Sequence, residues 1–161
     1  MTNQAGKSDK PKVQWWNVAS KVEDEAGAIA LVKQGGFVGG YLAVSGIILM
    51  FVAWFLPEVV GAIPEERVYS LIGFGMQTLL GAALGYLVWK TLSWWAVVPL
   101  FVWAVIEGGF KLMMVFAGAG AVGSIVAIIV LIAAVQMLRG RIMLSRIRKR
   151  NTPPATVTSN H

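Results

Sequence analysis

Glu107 and Lys111 are the residues most able to carry chemistry in this chain, standing four apart within a long apolar run, with the acid on the N-terminal side. On a helix that spacing puts carboxylate and ammonium on one face in the favourable order for an intrahelical pair. A carboxylate inside hydrocarbon costs about 2.5–3.5 kcal/mol or more unless it is paired or neutralised. The pair therefore marks either a structural ion pair or an ion, proton or small-molecule path. Gln77 is the second intramembrane polar candidate. It lies nine residues below Val68, and Glu107 lies nine below Phe116. At about 1.5 Å per residue the two reach the same depth, which places them to meet across two neighbouring helices.

Other chemistry is scarce. There is no cysteine, and the single histidine is His161, so no thiolate nucleophile or Cys/His metal cluster can be assembled. No phosphate-binding loop, dinucleotide fingerprint, nucleophile elbow or zinc-binding helix motif is present. The expectation is a protein that is not an enzyme and needs neither cofactor nor metal.

The elements that must hold these residues follow from composition. The apolar set makes up 57% of 161 residues and charged residues only 14%, where about 25% charged is typical of soluble chains. So few charges cannot cover the surface of a soluble fold of this size. Four stretches approach the roughly 20 apolar residues that cross about 30 Å of hydrocarbon: 37–56, 68–89, 94–116 and 122–138. The first is free of charge and stops at Pro57-Glu58, and the second stops at Lys90. The third has an outer boundary anywhere between Phe110 and Phe116. If it ends near Phe110, Glu107 is one turn from water and Lys111 snorkels outward. Pro99 is expected to bend it, and Trp103 lies well inside it. Short connections at 90–93 and 117–121 force antiparallel neighbours, which predicts an all-α, up-down-up-down four-helix membrane bundle at 37–138.

Orientation follows the lysine and arginine distribution. Lys7, Lys10, Lys12, Lys21, Lys33, Lys90, Arg139, Arg141, Arg146, Arg148, Lys149 and Arg150 fall on one side, and only Arg67 and Lys111 on the other. Twelve against two predicts both termini in the cytoplasm. Trp89, Trp94 and Trp95 gather at one interface and Trp54, Phe55 and Tyr69 at the other, as aromatic belts do. The first span begins after 36 residues and lacks a small-residue cleavage site, so it reads as part of the mature protein.

Residues 20–36 read as a separate short helix. Ser20 and Glu23 form a capping-box pair, Asp24 and Glu25 favour the first turn, and Gly35-Gly36 supplies a stop. Its apolar face suits the cytoplasmic membrane interface, or alternatively a protein surface. Residues 1–19 precede it as a polar and interfacial segment. Residues 139–161 form a basic tail, and both chain ends, with nothing apolar to bury, read as disordered.

Gly73, Gln77, Gly81 and Gly85 recur every four residues along the second span, a small-residue stripe that admits a neighbouring backbone closely. That neighbour is another helix of the chain or a separate subunit. Arg139, Arg141, Arg146, Arg148, Lys149 and Arg150 directly follow the fourth span, and such a cluster is expected to contact anionic headgroups at about 1 kcal/mol per charge near the surface. With no aromatic platform or nucleic-acid fold beside it, nucleic acid is not an expected partner.

The whole layout, from the helix with its glycine pair, through Glu107 and Lys111, to a fourth helix ending Gln136-Met-Leu-Arg139-Gly140, resembles small uncharacterised four-helix membrane proteins of bacteria. The resemblance implies a bacterial cytoplasmic membrane and no activity. The sequence thus points to a protein acting by association, as an accessory or scaffold subunit or a homo-oligomer. The alternative is a minimal channel or transporter built on Glu107.

Overall fold

A computed structural model of the chain describes residues 22, 24–60, 67–116 and 122–151. Among these the chain is all helical: α1 (Glu25–Phe55), a short 3-10 turn (Pro57–Val60), α2 (Arg67–Thr91), α3 (Trp94–Phe116) and α4 (Val122–Asn151). All four α-helices are long and apolar enough to cross a membrane, as in a multi-pass membrane protein. Ser20, Glu23 and most of the two chain ends lie outside the described residues.

The largest departure from expectation is at the glycine pair. Gly35-Gly36 does not stop a helix; α1 runs straight through it for 31 residues, so 25–34 continue the first span and form no separate helix. Gly35 serves packing instead, whereas a Cβ on Gly36 would make only ordinary contact with Trp89, at 3.5 Å or more. A Cβ on Gly35 would come within 2.5 Å of Met137 Sδ of α4 and 3.2 Å of Val88 Cβ of α2. Glycine allows three helices to converge where any side chain would wedge them apart. The helix starts on Asp24, whose Oδ1 accepts from the Gly27 N–H at 2.9 Å and satisfies one orphan donor of the first turn.

α4 also outruns its expected end at 138, continuing to Asn151. Its added turns pack on the added turns of α1. Ala28, Leu31, Val32 and Leu144 are fully buried, and a Cβ on Gly140 would sit 2.6 Å from Leu31 Cβ. Glu25 Oε1 and Arg148 Nε close the far end at 2.9 Å. The apolar face of 25–34 is thus covered by this chain's own fourth helix and does not lie free in an interface.

α1 is the central helix, lying against both α2 and α4. Against α2, Gly39 meets Gly85, and Gly46 meets Phe74 and Thr78, so rising numbers in one helix face falling numbers in the other. The core is Val38, Leu42, Val88, Val97, Leu100, Ala104, Val130, Ala134 and Met137, all at most 1% exposed. Large apolar side chains such as Phe51, Tyr69, Leu79 and Ile106 are exposed on the outside, the inverse of a water-soluble surface and suited to lipid.

The turn from α2 to α3 is only Leu92-Ser93. Leu92 takes a left-handed φ of 54°, a conformation that costs a non-glycine residue about 1–2 kcal/mol. Its partly buried side chain packs on the core, which offsets that cost. The Ser93 carbonyl accepts from Ala96 and Val97 at 3.2 and 3.0 Å and opens α3.

Candidate functional site

The depth scale of the helices is set by cations lying over aromatic rings. At one end Lys33 lies 5.6 Å from the Trp89 ring centre, Lys90 5.5 Å from Tyr86, and Arg141 5.0 Å from Trp94. At the other end Arg67 lies 4.9 Å from Trp54 and donates to its carbonyl oxygen. Lys33 and Trp54 are 21 residues apart on α1, so the two belts are separated by about 32 Å, close to the hydrocarbon thickness of about 30 Å.

Between the belts two helical turns interlock. Tyr41 and Ser45 stand four apart on α1, and Glu107 and Lys111 four apart on α3. Lys111 Nζ lies 3.0 Å from Glu107 Oε1 and donates to Ser45 Oγ at 3.2 Å and to the Tyr41 hydroxyl. Ser45 in turn donates to Glu107 Oε1 at 3.4 Å. The ammonium also lies 4.7 Å from the centre of the Tyr41 ring. Ser45 is about 18 Å along α1 from Lys33 and about 14 Å from Trp54, so the cluster sits near mid-depth. Helical side chains lean toward the N-terminus of their helix. On α3 that lean carries Lys111 back to the level of Glu107 and away from the C-terminal end of the helix. α3 continues to Phe116, past the earlier of its two expected ends, and the Lys111 ammonium is turned onto Glu107, Ser45 and Tyr41.

Gln77 is brought to a different place. It is 8% exposed and buried, and its Nε2 has no hydrogen-bond partner among the described residues. Among the described residues Glu107 is bonded to Ser45 and Lys111, so the depth match with Gln77 does not become a bond. Tyr41 and Ser45, which complete the cluster, were not singled out by the sequence reading. Their signal was a polar pair at helical spacing inside the otherwise apolar first span.

The glycine stripe divides. Gly81 and Gly85 are buried against α1, where a Cβ on Gly81 would lie 2.9 Å from Leu42 Cβ. A Cβ on Gly73 would meet nothing within 4 Å. A spacing of four advances about 40° around the helix per step, so three steps from Gly85 carry Gly73 about 120° away, onto the outer face.

The basic cluster of α4 is helical and partly engaged. Arg139 Nη1 lies 3.5 Å from Gln136 Oε1, Arg141 lies over Trp94, and Arg148 pairs with Glu25. Arg146, Lys149 and Arg150 are exposed. Among the described residues no three acidic or histidine side chains converge to form a metal-binding group.

No protein-family model matches the chain, and no curated protein or solved structure shows significant similarity to it.

Proposed function

We propose that this is a small multi-pass protein of a bacterial cytoplasmic membrane, its four helices running up-down-up-down with both termini in the cytoplasm. It works by association, as an accessory or scaffold subunit of a larger membrane assembly or as a homo-oligomer, and not as an enzyme. The orientation is supported by the cation imbalance and by the Lys33, Lys90 and Arg141 belt that shares one end of the helices. The basic α4 extension then faces the cytoplasm, where anionic headgroups are its natural partners.

The observation that carries association is the state of α2. Only 17% of its spanning stretch is buried, against 28–39% for the other three helices. Its exposed side carries Tyr69, Ile72, Met76 and Leu79, spaced three, four and three residues apart, the seam spacing by which apolar helices interlock. Open Gly73 lies on the same side. Against conduction, Glu107 is held by partners from its own chain.

The absence of native cysteine makes single-cysteine cross-linking in native membranes a clean test. Leu79→Cys and Ile72→Cys should give a homodimer or a discrete heavier adduct, whereas Phe51→Cys, equally exposed on α1, should not. Adducts at no α2 position would end the association reading through this face.

A further inference from the structure

The ion-pair cluster opens sideways into a crevice of about 310 Å³ between α1, α3 and α4. Its lining is mainly apolar, from Val44, Ile48, Leu49 and Val126, and Tyr41, Ser45 and Lys111 of the cluster border it. The geometry points to this crevice as a binding site for a neutral, membrane-dissolved carbonyl compound with a single-ring head, of the class of the alkylated benzoquinones.

Hydrogen-bond valence fixes the polar requirement. An ammonium has three donors, and those of Lys111 are used on Glu107, Ser45 and Tyr41. Ser45 uses its own proton on Glu107. Tyr41 is different: among the described residues its only hydrogen bond is the one it accepts from Lys111, so its hydroxyl proton remains to be donated. Accepting from a cation polarises that O–H and strengthens it as a donor. The crevice therefore offers one donor and asks for one acceptor, as a carbonyl oxygen provides.

Charge and depth fix the rest. Glu107 and Lys111 cancel, so the site gives no net attraction to an ion. At about 14–18 Å from either aromatic belt it is reached through hydrocarbon and not through water. Val44 and Ile48 are more than half exposed on the outer surface, which leaves a lateral opening for an alkyl tail to run out into lipid. The volume is at the lower end of that of small-molecule sites and suits one substituted ring. This site is independent of the exposed side of α2, so either proposal can fail alone.

The test uses the full chain in phospholipid nanodiscs, titrated with a decyl-substituted benzoquinone, with bound probe measured by extraction and absorbance. The wild type should bind one equivalent saturably and gain thermal stability as it does so. Tyr41→Phe keeps the ring and removes the donor, and should weaken binding by up to about tenfold, the worth of one hydrogen bond. Val126→Trp should fill the crevice and abolish saturable binding while leaving the cluster untouched; Ile48→Trp provides a second block if that variant inserts poorly. Decylbenzene, with the same tail and no carbonyl, should not compete. Non-saturable partitioning into wild-type discs, an unchanged affinity in Tyr41→Phe, or equal competition by decylbenzene would each overturn the assignment.

Discussion

Gly39 of α1 and Gly85 of α2 touch through their backbones: a Cβ placed on Gly85 would lie 2.8 Å from the Gly39 Cα. No side-chain rotation relieves such a clash, so the helices must separate. Gly85→Leu is expected to destabilise the folded chain by about 1–3 kcal/mol or more, seen as a lowered thermal midpoint in detergent. Gly73→Leu, with nothing within 4 Å to strike, should leave the midpoint unchanged. Equal effects at both positions would contradict the division of the stripe.

The joined extensions of α1 and α4 give a second prediction, in which packing outweighs charge. Leu144 is fully buried, and Leu144→Ala should cost about 2–5 kcal/mol of local stability. It should also accelerate amide exchange over residues 139–151. The Glu25–Arg148 pair is about half exposed, with side-chain exposures of 43% and 55%, and pairs of that kind contribute about 0–1 kcal/mol. Arg148→Gln should therefore slow exchange nowhere and speed it only slightly at the helix end. A larger effect from Arg148→Gln than from Leu144→Ala would reverse this ranking.

The four spans were legible because length and apolar content alone decide whether a helix can cross hydrocarbon, and neither depends on what the helix touches. The Gly35-Gly36 pair shows where that ends. Glycines after a charged helical turn signal a stop in isolation, but the same absence of a Cβ also permits the close approach of Val88 and Met137, and only the tertiary contact distinguishes the two. The site was half legible. Glu107 and Lys111 reveal each other by spacing on one helix, whereas Tyr41 and Ser45 join them from about 70 and 66 residues away in the chain. Depth arithmetic paired Gln77 with Glu107, but Glu107 bonds to Ser45 of α1 and Lys111 of its own helix instead, because depth alone does not say which faces of two helices meet.

Topology is open to direct measurement, since the chain has no cysteine of its own. Cysteines introduced at Ser8, Thr91 and Thr152 should be protected from a membrane-impermeant thiol reagent in intact cells, and one at Ala62 should react. Thr91 is the most informative, because it sits at the Lys90–Tyr86 belt with an exposed side chain. Labelling there from outside would invert the whole bundle.

The mid-depth ion pair separates a structural role from a conducting one. Glu107→Ala leaves the Lys111 ammonium in apolar surroundings with only two hydroxyl partners, and stranding one member of a buried pair costs about 3–5 kcal/mol. Abundance and thermal midpoint should fall together. Glu107→Gln retains an acceptor for Lys111 and Ser45 and should fall less. Removing both charges in Glu107→Gln/Lys111→Met leaves no stranded ion, so it should recover most of what Glu107→Ala loses. That recovery is the signature of a pair whose members matter mainly to each other. A conducting role gives another pattern: the wild type in reconstituted vesicles would carry a pH-dependent or cation-dependent flux, and Glu107→Gln would abolish it while remaining folded. Measuring that flux and its loss would displace the association reading in favour of a channel or transporter. Recovery in the double variant, with no flux in any variant, is the result expected of a cluster that holds α1 to α3.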